Sequence, residues 1–198
     1  DSKLIEGYGL SETTANLSLN VPSSRRIGSV GQAMGFQEIK LMDSSGKMVA
    51  DGNEGELWVR GPNVMMGYWK RREATEEAID PEGFFKTGDV AVKLDNGFYK
   101  IVDRIKDMIL VSGFNVYPNE IENVLYSHPD VLECAVVGVV DDHSGEAVKA
   151  FVVVRNSGLM ATALREFCRQ DLTAYKVPKH IEFRDELPKS NVGKILRR

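Results

Sequence analysis

The sequence predicts an α+β protein in two parts. A distorted antiparallel β-barrel or sheet is expected over residues 1–103, and a small α+β domain over 104–198. Three observations carry this. In the first hundred residues, short alternating apolar stretches are separated by Gly- and Asn-bearing turns, and only one stretch has helical periodicity. Helices therefore do not alternate with these strands as parallel pairing would require. After Asp103 the pattern changes: two amphipathic helical stretches are interleaved with longer, continuously apolar strand-like runs, an apolar set independent of the part before it. Finally, 198 residues with 42% hydrophobic and 27% charged content can bury a core in each part, which excludes a disordered chain.

Each element has its own local reason. Residues 36–42 alternate weakly, and Ser44-Ser45-Gly46 turns the chain toward 47–50. ELWVR at 56–60 is a strand closed by Gly61-Pro62. Residues 70–79 have a helical period, and Pro81-Glu82-Gly83 ends it. Strands at 90–94 and 98–102 flank Asp95-Asn96-Gly97, a hairpin signal because Asn-Gly tolerates positive φ at both turn positions. A short strand at 108–111 leads into a loop at 112–117. Pro118 suits the first turn of a helix reaching Ser127, with Ile121, Val124 and Leu125 on one face. Residues 131–140 and 148–154 read as buried strands. A helix at 161–172 turns Leu164, Phe167, Cys168 and Leu172 inward, and 180–184 is a last strand.

Composition removes several function classes. Lys and Arg total 25 against 29 Asp and Glu, a net charge of −4, so there is no basic footprint for nucleic acid. The longest apolar run, 134–140, is far short of the ~20 residues of a membrane-spanning helix. Cys134 and Cys168 lack the spacing of a metal knuckle or redox motif and read as core hydrophobes in a reducing cytosol. His128, His143 and His180 are scattered and carry no zinc pattern.

Chemistry-bearing side chains fall instead at four separated corners. Lys194 follows Gly193 in a Pro-, Ser- and Asn-rich stretch, from which a point charge can swing onto an anion. The alternative is a solvated basic tail with Lys189, Arg197 and Arg198. A Walker-type loop is excluded, because Pro188 and Ile195 stand where Gly and a hydroxyl are required. Asp89, after Thr87-Gly88, is placed to accept hydrogen bonds from vicinal hydroxyls, or simply to stabilise its own turn. Asp103-Arg104 ends the hairpin; the bland alternative is a surface ion pair worth ~0–1 kcal/mol. Glu12, with Ser11 and Thr13-Thr14, offers hard oxygens of the kind Mg²⁺ accepts beside phosphates, or else caps a helix. Taken in order, the four suit a site for a phosphorylated sugar.

The motifs then carry a resemblance. YGLSETT (8–14), GELWVRGPNVMMGYW (55–69), FFKTGDV (84–90), DRIKDMILVSGFNVYPNEIE (103–122) and PKSNVGKILRR (188–198) are similar to the successive motifs of the adenylate-forming superfamily. This superfamily comprises acyl-CoA synthetases, luciferases and peptide-synthetase adenylation domains. The sequence most resembles bacterial long-chain fatty acid–CoA ligases, along essentially all 198 residues. The resemblance implies an enzyme that joins a fatty acid to AMP with release of pyrophosphate, then passes the acyl group to CoA. ATP and CoA would be co-substrates and Mg²⁺ the cofactor. It further implies that Tyr8 packs on adenine with the backbone of Gly7 and Gly9 nearby. Ser11 would contact phosphate and Glu12 hold Mg²⁺. Asp89 would grip the ribose, with Arg104 and Lys106 on the same nucleotide, and Ser112-Gly113 would border the pantetheine channel. Lys194 would stabilise charge during adenylation, and Asp103 would be the hinge of a mobile small domain.

Two departures qualify the carry-over. Leu110 and Ser112 stand where many plant and insect relatives have lysines, so no charge-dependent role is assigned there. The family's glycine- and hydroxyl-rich phosphate loop does not occur in these 198 residues, so the chain is expected to be the C-terminal portion of an enzyme and to be inactive alone. The resemblance places the whole enzyme in the cytoplasm, in peripheral contact with the inner membrane face. The competing readings are another acid:thiol ligase, an amino-acid adenylation domain, or a non-catalytic module that docks a partner through the sheet at 131–154.

Overall fold

In the computed structural model, which describes residues 4–197, the chain divides into two units between Ile105 and Lys106. The division falls two residues beyond Asp103.

The first unit is an antiparallel sheet of seven strands: β1 (Gly7–Tyr8), β2 (Ser18–Leu19), β3 (Gly31–Ala33), β4 (Glu38–Met42), β5 (Glu54–Arg60), β6 (Phe85–Lys93) and β7 (Phe98–Arg104). Their order is β1-β2-β3-β7-β6-β5-β4. β1 and β4 remain as edges, so the unit is an open sheet and not the closed barrel that was one of two expectations. Closure needs long strands sheared around an axis, whereas β1 to β3 are only two or three residues long. β5 shows why the sheet has one apolar face: Gly55, Leu57 and Val59 are buried while Glu54 and Arg60 at its ends are exposed. Leu57 and Val59 pack with Leu17, Leu41, Phe85, Ala91 and Tyr99.

The Asp95–Gly97 turn between β6 and β7 has φ of +60° at Asn96 and +74° at Gly97, as the Asn-Gly pair predicts. β6 begins earlier than expected, so Thr87, Gly88 and Asp89 lie within a strand. They do so as a bulge: Glu56 pairs with Val90 but Trp58 pairs with Lys86, so two steps on β5 span four on β6. Gly88, at φ +71°, supplies the left-handed turn this needs. A helix α1 (Arg72–Ala78) lies within the expected 70–79 stretch and has no buried residue.

The second unit contains β8 (Ile109–Val111), β9 (Phe114–Val116), α2 (Pro118–Tyr126), β10 (Val131–Asp141), β11 (Gly145–Val154), α3 (Ala161–Asp171) and β12 (His180–Phe183). The sheet runs β10-β11-β8-β9, with β12 added parallel to β11. β9 corrects the loop expected at 112–117. Ser112 and Gly113, at φ +50° and +84°, make a two-residue turn that folds Phe114 back onto Val111. Ser-Gly is not a pair from which that turn is read, because Ser only rarely enters the left-handed region. Ile121 and Leu125 of α2 and Leu164, Cys168 and Leu172 from and just after α3 meet Ile109, Val116, Val136, Val148 and Val152 in one core. No helix among the described residues is long and apolar enough to cross a membrane.

Both cysteines sit in this core. Burial pushes the Cys134 thiol up to about 12 and the Cys168 thiol up to about 11. At pH 8 the native chain should therefore react with a chromogenic disulfide reagent orders of magnitude more slowly than the denatured chain, because the thiolate is the nucleophile. Titration of two thiols at the denatured rate would contradict this core.

Candidate functional site

Three expected residues meet in the first unit. Tyr8 Oη donates to Asp89 Oδ2 at 2.6 Å, and Arg104 Nε lies 3.1 Å from Asp89 Oδ1. Asp89 is only 4% exposed, so its charge has to be met by donors, and two are in place. The bulge aims it: Thr87 Oγ1 accepts the Asp89 amide at 3.1 Å, and Asp89 faces Arg104 across the β6–β7 ladder. Burial, and next the bond to Asp89, raise the Tyr8 phenol well above its usual range, so Tyr8 stays a protonated donor. An ionised carboxylate has about four acceptor positions, so the two oxygens still have capacity for a diol. Asp89 is thus more than a turn-stabiliser; it is the centre of a charged network.

The 8–14 motif forms a tight loop. Ser11–Thr13 is a short 3-10 turn, after which Thr14 and Ala15 take φ of +50° and +76°. The chain folds back so closely that a Cβ at Gly9 would lie 1.4 Å from the Ala15 carbonyl oxygen, so only glycine fits. The fold exposes Ser11 and half-buries Glu12. Glu12 Oε1 accepts a hydrogen bond from Tyr68 Oη at 2.9 Å, and the Glu12 carbonyl accepts from the Met65 amide at 2.8 Å. Among the described residues no cluster of three or more His, Cys, Asp or Glu could hold a metal alone. One carboxylate oxygen beside an anionic substrate is nonetheless a donor set that Mg²⁺ accepts, because it keeps several waters and binds through one or two carboxylates plus phosphates. Glu12 fits that group.

Asp103 is 2% exposed, pairs with Val90, and accepts the Arg104 amide at 2.8 Å. It lies inside β7 rather than at the break between units. That break is followed by Lys106, exposed in the turn Ile105–Asp107.

In the second unit, Ser112 and Gly113 form the exposed β8–β9 turn, with the Ser112 amide donating to the Ser144 carbonyl at 2.8 Å. Lys194 lies on a small hairpin closed by a Lys189–Ile195 bridge. The Ser190 amide donates to the Lys194 carbonyl at 2.8 Å, the Lys194 amide to Ser190 Oγ at 3.2 Å, and Gly193 turns at φ +79°. Ile195 packs beside Ala135, Val153 and Leu187. Arg197 clamps Glu122 of α2 from Nε and Nη2, at 3.0 and 2.6 Å. The lysine is therefore exposed on a braced loop, unlike a solvated tail.

The sequence motifs contain Tyr68 and Arg197 without marking a task for either. Both act through side-chain partners 56 and 75 residues away, which no local spacing reveals.

Comparison with known proteins agrees with both units. The model of the AMP-binding enzyme family matches residues 1–69, and that of the AMP-binding enzyme C-terminal domain matches residues 120–194. A long-chain-fatty-acid–CoA ligase of Escherichia coli O157:H7 is 57% identical over 196 residues, covering 98% of this chain and 35% of that protein. The chain thus spans about a third of the length of the curated relatives it matches. Among solved structures, ATP-bound MatB from Rhodopseudomonas palustris aligns with a TM-score of 0.91 at 35% identity, over 97% of this chain and 39% of its own. The o-succinylbenzoate coenzyme A synthetase of Bacillus subtilis, in complex with ATP and magnesium ion, gives 0.87 at 34% identity, over 98% and 40%. One family model falls within each unit and these relatives run through both, so the chain belongs to the AMP-binding, adenylate-forming enzyme family.

Proposed function

We propose that the chain supplies the ribose-binding carboxylate, the metal ligand and the catalytic lysine of an ATP-dependent long-chain fatty acid–CoA ligase. The observation that carries this is the buried Asp89, held between a protonated Tyr8 and Arg104 at a strand bulge, in a chain 57% identical to a ligase of that kind. Asp89 accepts from the ribose hydroxyls, Arg104 and Lys106 add charge to the same nucleotide, and Tyr8 lies against the adenine with Gly7 and Gly9 beside it. Ser11 donates to phosphate, and Glu12 holds Mg²⁺. Magnesium, when bound, neutralises phosphate charge. Lys194 offsets the charge that grows as the fatty acid carboxylate attacks the α-phosphate and pyrophosphate departs. Ser112 and Gly113 border the pantetheine arm of CoA in the second half-reaction. The two half-reactions need the second unit in two orientations, and Asp103, near the end of β7 and just before the turn Ile105–Asp107, is the hinge about which it turns.

Pyrophosphate–ATP exchange tests the reading. The full-length enzyme with Mg²⁺ should show exchange that depends on a long-chain fatty acid. The 198-residue chain alone should show none, because it contains no glycine- and hydroxyl-rich loop for the triphosphate. Exchange driven by an aromatic or amino acid in place of the fatty acid would overturn the substrate assignment. Exchange by the chain alone would overturn the placement of the nucleotide site.

A further inference from the structure

We infer that Tyr68 is a positioning residue for the Glu12 carboxylate, and that Thr75 of α1 holds Tyr68 in place. The inference rests on the reading of Glu12 as the Mg²⁺ ligand. Tyr68 Oη donates to Glu12 Oε1 at 2.9 Å, and among the described residues no other side chain donates to this carboxylate. One oxygen is thereby fixed, and Oε2 is left for an incoming cation. Glu12 sits in a single 3-10 turn, Ser11–Thr13, followed by two left-handed residues, an element too short to fix a long side chain, so an outside donor orients the carboxylate.

The donor is itself held. The Tyr68 amide donates to Thr75 Oγ1 at 2.9 Å, and Thr75 Oγ1 donates in turn to the Arg71 carbonyl at 2.9 Å. Gly67, at φ +147°, lets the chain pass so close that a Cβ there would come within 2.6 Å of the Thr75 methyl group. This gives α1 a task. A seven-residue helix with no buried residue and no side-chain cap on its first turn is marginal as a packing element. It presents Thr75 to the chain just before it. The 61–69 loop is also tied to the acidic loop away from Tyr68: Asn63 Nδ2 donates to the Thr13 carbonyl at 2.9 Å, and Thr14 Oγ1 to the Asn63 carbonyl at 2.9 Å. These bonds keep the two loops together when the Tyr68 hydroxyl is removed, so its loss acts on the carboxylate rather than on the fold.

The test uses the full-length enzyme with ATP and no fatty acid, so that nothing turns over. Mn²⁺ stands in for Mg²⁺, and bound metal is counted by electron paramagnetic resonance. Tyr68→Phe should weaken Mn²⁺ retention about 10-fold, the lower end of the effect of removing a group that orients a metal-ligating carboxylate. Thr75→Val should act in the same direction by a smaller factor, and Thr75→Ser, which keeps the hydroxyl, should restore the native value. The Mg²⁺ concentration for half-maximal adenylation should rise in parallel, with thioester formation from preformed acyl-AMP unchanged. If Glu12→Gln weakens Mn²⁺ retention and Tyr68→Phe does not, the positioning role is wrong and the metal reading stands. If Glu12→Gln leaves retention unchanged, the metal reading falls and the positioning role with it.

Discussion

Lys194→Ala in the full-length enzyme is expected to slow acyl-adenylate formation on the order of 10²- to 10³-fold, roughly 3–4 kcal/mol of transition-state stabilisation. The size follows from what the lysine can do. Its ammonium is one preorganised charge on a braced hairpin, so holding it costs the transition state little reordering. The brace is independent of the side chain: the Lys189–Ile195 bridge, the Ser190 and Gly193 turn bonds and the Arg197–Glu122 clamp are made by other groups or by backbone. Truncation at Lys194 should therefore leave thermal unfolding of the enzyme unchanged within a degree or two. Lys194→Arg should rescue little, because the planar guanidinium is not a compact point charge. Single-turnover formation of acyl-AMP, followed by chemical quench, measures the loss.

Asp89→Asn is expected to raise the KM for ATP about 10- to 100-fold while leaving kcat closer to native. Bonds between a charged acceptor and two ribose hydroxyls contribute equally to ground and transition states, and uniform binding appears in KM. Hydrogen bonds to charged groups contribute ~1.5–3 kcal/mol, which sets the range. Asparagine is nearly the same size but places an NH₂ donor where Asp89 now accepts from Tyr8 on one oxygen and from Arg104 on the other. The amide can still face Arg104 with its oxygen and donate to the Tyr8 hydroxyl oxygen, but the negative charge and one of the two acceptor oxygens open to the diol are lost. Initial-rate kinetics with ATP varied at saturating fatty acid decide it. An unchanged KM would reduce Asp89 to a residue that shapes its own strand.

The elements legible in the sequence were those with a strong period or a strict turn. α2 and α3 show a single apolar stripe, and the Asp95–Gly97 turn needs residues that accept positive φ; all three lie where expected. β1, β2 and β3 are not legible, because Gly-Tyr, Ser-Leu and Gly-Gln-Ala are too short to carry an alternation. They are held by pairing with distant partners, such as Gly31 with Tyr99. β9 was missed because Ser112 occupies the left-handed region against its preference. The site divides in the same way. Tyr8, Glu12, Asp89, Arg104 and Lys194 could be named because motifs quote them in order. That Tyr8 and Arg104 converge on Asp89, and that Tyr68 reaches Glu12, depends on contacts across up to 81 residues of sequence, which only folding supplies.

In the proposed mechanism the lysine of the second unit serves one half-reaction and not the other. The most direct measurement is thioester formation from synthetic acyl-AMP and CoA by the Lys194→Ala enzyme, set beside its adenylation rate. Transfer is expected within about threefold of native, against an adenylation rate reduced by at least ~10². Equal losses in the two half-reactions would contradict it and leave Lys194 as part of the scaffold.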